Sequence, residues 1–169
     1  DGDCSCFSFF ANKTITTGEG GMVVFKNKKT ADYAKILRNH GMSLIRNYWH
    51  NFSGFNYRMT NIQAAIGVAQ ISRIASLLLK RKKIFNNYDK LLKNFNKVNF
   101  LPFNDWSENS YWLYTIILEN NNIRDQIVRS LNNIGIEVRP SFYPLNLMPP
   151  FKKFAKSKCK ISQKIGLRG

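Results

Sequence analysis

A chain of 169 residues with 44% hydrophobic and 14% aromatic content is long enough for one domain, or one and a half small ones, and too apolar for disorder. No stretch approaches the ~20 uninterrupted apolar residues of a membrane span, and the start, DGDCSCFSFF, carries two acids and no basic region, unlike a signal peptide. The formal charge of +16 admits a nucleic acid, a membrane surface or an anionic small molecule as partner, but the basic residues are scattered, which favours a solvated face.

Residues 4–10 alternate small and large side chains and read as a buried strand, with Phe7, Phe9 and Phe10 as core. TTGEGG (16–21) reads as a turn and MVVF (22–25) as a second strand. Thr30 is positioned to cap a short helix running through Asn39 and ended by Gly41. Residues 43–58, aromatic, polar and punctuated by glycine, read as a structured loop.

Thr60-Asn61-Ile62-Gln63 fits the capping box T-x-x-Q. Behind it apolar residues recur at helical spacing from Ile62 and Ile66 through Leu77, Leu78 and Phe85 to Leu92. The pattern predicts one helix of about 30 residues, roughly 45 Å long, of the kind that links two units or lines an interface. NKVNFLPFNDW is loop with room for a short strand; YWLYTIIL (111–118) reads as a strand, residues 123–135 as a helix stopped by Gly135, and IEVRP (136–140) as a strand ending at Pro140. That unit is a small α/β layer. SFYPLNLMPPF reads as a proline-stiffened loop, and KIGLRG as an unfinished element, so the chain is read as a fragment of a longer one. The predicted division is 1–85 and 86–169. Cys4, Cys6 and Cys159 have no ligand spacing and read as reduced and structural, and no metal site is expected; a cytoplasmic protein fits.

One residue stands out in this order. Lys13 lies between an apolar run and a Gly-rich turn. Either its ammonium points to solvent, or the chain holds an amine in a sheltered place, where it becomes nucleophilic near neutral pH. The best-known work of such an amine is a Schiff base with a carbonyl, including that of pyridoxal phosphate (PLP). Ser8 is five residues away, so ~17 Å bounds their separation, and a turn brings a phosphate-binding hydroxyl closer to the amine. TTGEGG lets backbone pass near a cofactor.

The string GDCSCFSFFANKTITTGEGGMVVF closely resembles the lysine segment of the DegT/DnrJ/StrS family, the PLP-dependent nucleotide-sugar aminotransferases of fold type I. LRNHGM (37–42), GFNYRMTNIQAAIGVAQISRI (54–74), SYWLYTIIL (110–118) and IGIEVRPSFYPLNLMPPF (134–151) resemble later family segments in the family's order. The wording is most like the perosamine-synthase-type branch.

The resemblance implies an α/β fold made of the end of the large PLP-binding domain, a long linking helix and a small C-terminal α/β domain. It implies that Lys13 is the Schiff-base lysine, that Ser8 holds the cofactor phosphate, and that Asn56 reaches across a homodimer interface to the neighbour's phosphate. It sets Tyr57 and Arg58 in the segment that lines or supports the site, and Arg139 and Tyr143 where the C-terminal part approaches the sugar nucleotide. Many relatives have histidine where this chain has Asn146. The implied reaction moves an amino group from L-glutamate to a nucleotide-linked 4-keto-6-deoxy sugar, in a cytoplasmic enzyme of polysaccharide biosynthesis without nucleic-acid or membrane partners. Family dehydratases carry histidine at the lysine position, and Lys13 argues against that chemistry. The segments preceding the lysine in the family are missing here, so the 169 residues alone are expected to bind PLP poorly and show little activity.

Plainer readings stand beside these. Ser8 also fits a small residue in a strand, Asn56 a turn, and Arg139 an exposed strand end before Pro140. His40 fits a helix C-terminal residue favoured by the dipole, His50 a loop residue, and Glu19 an acceptor for backbone N–H groups. As whole-chain alternatives, the clusters at 26–29, 80–83 and 152–160 would serve a basic nucleic-acid-binding module with steep salt dependence, and the long helix a dimerisation module without catalysis.

Overall fold

The computed structural model describes residues 2–100, 102 and 104–169 and divides between Lys80 and Arg81 into two compact units. In the first, β1 (Cys4–Ser8) and β2 (Gly21–Phe25) form an antiparallel ribbon with Cys4 opposite Phe25 and Ser8 opposite Gly21. The alternating segment is a strand, as expected, but it is not buried: every residue of β1 is exposed, and Phe7 and Phe10 are 48% and 43% exposed. A two-stranded ribbon has two faces, and the described residues leave β1 uncovered.

Helix α1 (Lys28–Arg38) packs beside β2. Its cap is Asn27, not Thr30: the Asn27 side chain accepts from Thr30 N at 3.2 Å, which makes Thr30 the third helical residue and a donor. At the other end Gly41 N donates to Ile36 O at 2.9 Å with Gly41 at φ +69°. The next carbonyl, Leu37 O, accepts from Phe55 N, and His40 N donates to Phe55 O, so the 39–57 loop is laced to the helix end. Antiparallel bridges pair Asn39 with Asn56 and Met42 with His50.

The capping box forms at Thr60, which starts α2 (Asn61–Ile71). The single long helix expected here is interrupted: α2 stops at Ile71 and α3 runs over Ile74–Leu92. Arg73 N bonds to Gln70 O, three residues back, and the hydroxyls of Ser72 and Ser76 bond to the carbonyls of Ala69 and Arg73. These contacts tighten the turn and divert carbonyls from the α-helical ladder without disturbing the apolar spacing.

In the second unit β3 (Val98–Phe100) pairs antiparallel with β4 (Ile116–Leu118), Val98 opposite Leu118. Helices α4 (Asn121–Asn133) and α6 (Lys160–Arg168) pack on β4 and on each other; α5 (Pro149–Lys152) follows a 3₁₀ turn at Leu145–Leu147. Among the described residues Phe85, Leu118 and Pro144 are buried apolar side chains, and the rings of Tyr111 and Tyr114 meet Phe85 edge-on at 5.2 and 5.1 Å.

Two expectations need correction in this unit. The strand predicted over 111–118 is confined to its last three residues, because Tyr111 sits at φ +53° and Arg81 Nη1 donates to the carbonyls of Tyr111 and Trp112 at 3.4 and 3.0 Å. Residues 136–140 form no strand; Val138 N bonds to the Asn132 side chain at 3.2 Å instead of to a neighbouring strand. Residues 164–168 of KIGLRG, a segment to which the sequence assigns no element, fall in α6, which runs through Arg168. Leu101 and Phe103 of the expected 96–106 loop lie outside the described residues.

Candidate active site

The connection from β1 to β2 is organised around Phe9. Its N–H donates to Gly20 O at 2.9 Å, and its carbonyl accepts from Thr17 N and Thr16 Oγ1, both at 3.0 Å. Residues 10–15 are therefore a loop with a closed neck. Within it Lys13 N bonds to Phe10 O at 3.0 Å, and the Lys13 side chain is half-buried. Below the neck Thr17, 5% exposed, donates from Oγ1 to Glu19 O at 2.7 Å, and Gly18 N bonds to Thr16 Oγ1 at 2.9 Å. A Cβ on Gly20 would stand 2.5 Å from Thr17 Oγ1, so the turn closes only around glycine there.

Ser8 ends β1, and its Oγ accepts from Phe10 N at 3.4 Å. Ser8 and Lys13 are thus joined through one residue, Phe10, whose N–H goes to one and whose carbonyl goes to the other. Ser8 is exposed and Lys13 half-buried, and a hydroxyl and a primary amine are the group types that can meet a phosphate and an aldehyde.

Asn56, Tyr57 and Arg58 stand along the end of α1. Asn56 bridges Asn39, Tyr57 N donates to Arg38 O at 3.0 Å, and Arg58 Nη1 reaches Asn39 Oδ1 at 3.4 Å. All three are exposed, Tyr57 by 73% with its ring stacked on Phe55 at 5.0 Å. The next residue, Met59, joins Phe9, Ile15, Thr17, Gly67 and Ile71 around an apolar recess of about 220 Å³. The recess is the seam between lysine loop and α2; its lining suits packing and not an anion. Arg139 and Tyr143 belong to the second unit, where the Arg139 guanidinium lies 5.3 Å from the Phe142 ring centre, Tyr143 is 49% exposed and Asn146 is half-buried.

Sequence reading missed how the loop is fastened. Gln70 Oε1 accepts from Thr16 N at 3.1 Å, Gln63 Nε2 donates to Glu19 O at 3.1 Å, and a Cβ on Gly67 would come within 3.1 Å of Thr17 Cγ2. The available signal was the spacing of Gln63, Gly67 and Gln70 at i, i+4 and i+7, one face of a helix. The more conspicuous apolar residues of α2 give no such signal: Ile62 is 76% exposed, and Val68, 69% exposed, only borders the recess.

The chain is 42% identical to the GDP-perosamine synthase of Caulobacter vibrioides over 171 residues, a match that takes in 99% of this chain and 46% of that protein. It spans about half the length of the curated relatives it matches. Among solved structures it superposes on Helicobacter pylori PseC, an aminotransferase involved in the biosynthesis of pseudoaminic acid, with a TM-score of 0.83 at 26% identity, covering 98% of this chain and 46% of that one. Spr1654 of Streptococcus pneumoniae, solved in a PLP form, gives 0.81 at 27% identity over 99% of this chain and 47% of its own. These are α/β aminotransferase folds, and a family model matches residues 1–168: the chain belongs to the DegT/DnrJ/EryC1/StrS aminotransferase family.

Proposed function

We propose that this chain is the lysine-bearing later part of a PLP-dependent aminotransferase acting on a nucleotide-linked 4-keto-6-deoxy sugar, with residues 1–85 completing the large domain and 86–169 forming the small C-terminal domain. The observation that carries the reading is the closed loop of residues 10–15, which holds Lys13 half-buried just after the strand that ends at Ser8, in a chain 42% identical to a GDP-perosamine synthase. PLP, when bound, supplies an aldehyde for amine exchange and a ring that draws electrons from the reacting carbon.

The chain's own residues then have distinct work. Lys13 Nζ would hold the cofactor and, with L-glutamate as the amino donor in this reading, would move the proton to and from the reacting carbon as general base and acid. Ser8 Oγ donates to the phosphate. Asn56, exposed at the end of α1, serves the site of a second subunit in a homodimer, with Tyr57 and Arg58 beside it. Arg139 and Tyr143 meet the sugar nucleotide, where a guanidinium suits a diphosphate. The substrates belong to the cytoplasm, and so does the enzyme in this reading.

The test is chemical. Full-length protein is incubated with PLP, reduced with borohydride and digested. The pyridoxyl group is expected on the peptide carrying Lys13 and absent in Lys13→Ala, and glutamate alone should yield 2-oxoglutarate stoichiometrically with enzyme. A label on another lysine, or no label, would overturn the assignment.

A further inference from the structure

The two hydrogen bonds from α2 fall on either side of the neck that closes the lysine loop. Gln70 takes Thr16 N, the residue whose hydroxyl bonds to Phe9 O. Gln63 gives to Glu19 O, the carbonyl that also accepts from Thr17 Oγ1. Between them Gly67 leaves room for Thr17. The orientation of the Gln63 amide is fixed by its neighbours: Oε1 accepts from Thr60 N at 2.9 Å and Thr60 Oγ1 at 3.0 Å, so Nε2 faces the Glu19 carbonyl, which can only accept. One side chain therefore caps α2 and ties down the lysine turn.

We propose that Gln63 and Gln70 are positioning residues for Lys13: they clamp the neck of its loop to α2 and so set where the amine stands. The proposal rests on the functional reading above, and names what holds its central residue in place. Neither glutamine needs to touch substrate or cofactor. Both act on the backbone of Thr16–Glu19, and the six-residue loop moves with its neck. The cap and the clamp are separable by chemistry. Gln63→Glu keeps a carboxylate oxygen for the capping box but cannot donate to Glu19 O. Gln70→Glu keeps the acceptor for Thr16 N, and Gln70→Leu removes it at nearly constant volume.

The experiment uses the full-length protein and measures the rate of borohydride-trapped pyridoxyl incorporation at Lys13, the amide hydrogen exchange of residues 9–20 and the thermal midpoint. Gln63→Glu and Gln70→Leu are expected to slow trapping by roughly tenfold, the equivalent of one misplaced hydrogen bond, and to speed exchange at Thr16 and its neighbours, with little change in midpoint. Gln70→Glu should trap at the wild-type rate. If the wild type labels Lys13 and all three variants label equally fast, the clamp is idle and the proposal alone falls. If the wild type carries no label on Lys13, the functional reading falls and takes the proposal with it.

Discussion

Tyr114 donates its hydroxyl proton to Asp89 Oδ1 at 2.7 Å, and burial, reinforced by that carboxylate, holds the phenol well above its usual range. The folded state keeps this proton to higher pH than the unfolded chain does. The stability it contributes is therefore complete below the unfolded value of about 10 and is lost as pH rises beyond it. Urea midpoints measured between pH ~9 and ~11 should fall in the wild type and fall less in Tyr114→Phe, which should itself cost about 1–2 kcal/mol at neutral pH. Arg124 poses a different question, since it is 6% exposed yet charged. Its guanidinium gives Nη1 to Leu167 O at 2.7 Å, and Nε and Nη2 to Asp125 Oδ1 at 2.8 and 2.7 Å. The Asp125 side chain is 42% exposed and recovers water if the arginine is lost, so no buried charge is orphaned. What Arg124→Met gives up is chiefly the bond that ties α4 to the end of α6. A loss of about 1–3 kcal/mol is expected, with amide exchange accelerating in 160–168 and not in 121–133.

At the scale of elements, the end of α1 depends on two glycines that meet. A Cβ on Gly41 would collide with the carbonyl of Phe52, and one on Gly54 with Gly41 N, at 2.5 Å from His40 C and 2.7 Å from Leu37 O. All of these are backbone atoms and cannot swing aside. Gly54→Ala should cost about 3 kcal/mol or more in urea unfolding and disturb the Asn39–Asn56 bridge. Gly18→Ala, at φ +78° but with open space around it, should cost only about 1 kcal/mol. Such contrasts mark what a sequence can and cannot disclose. The Thr60–Gln63 box and the stop at Gly135 were legible because they are local rules: Gly135, at φ +82°, sends its N–H to Asn132 O while Ile136 N reaches Leu131 O. The break between α2 and α3 was not, since Ser72 and Ser76 keep the 3.6 period while their hydroxyls redirect carbonyls. The expected strand at 136–140 failed because a strand exists only with a partner. Lys13 and Ser8 could be singled out from a resemblance, but the neck of the loop and its glutamines join residues 54 and 44 positions apart, a distance at which no local pattern speaks.

The whole chain exposes 13,917 Å². Two independent compact units of half its 19.6 kDa mass would together expose about 10,000 Å², so the excess does not depend on how the halves are arranged. Large apolar side chains are exposed in both units: Met22, Val23 and Val24 on β2 (46%, 46% and 52%) and Ile66 and Ile71 on α2 (43% and 54%) in the first, Trp106, Leu145 and Ile161 (84%, 63% and 77%) in the second. The units differ in what they bury, since among the described residues the large apolar side chains Phe85 and Leu118 are buried in the second. Strands and helices with apolar faces of this kind gain their stability from what covers them. The first unit, which carries Lys13, should then be the weaker half when the 169 residues are made alone. A hydrophobic dye should bind this isolated chain strongly and the full-length protein weakly. Amides of residues 2–80 should exchange much faster than those of β4 and α4, and PLP trapping at Lys13 should be slow although the lysine is present. Sharp cooperative unfolding of the isolated chain, without dye binding and with prompt trapping, would mean that the lysine loop needs no covering layer. The clamp from α2 would then be enough to build the site on its own.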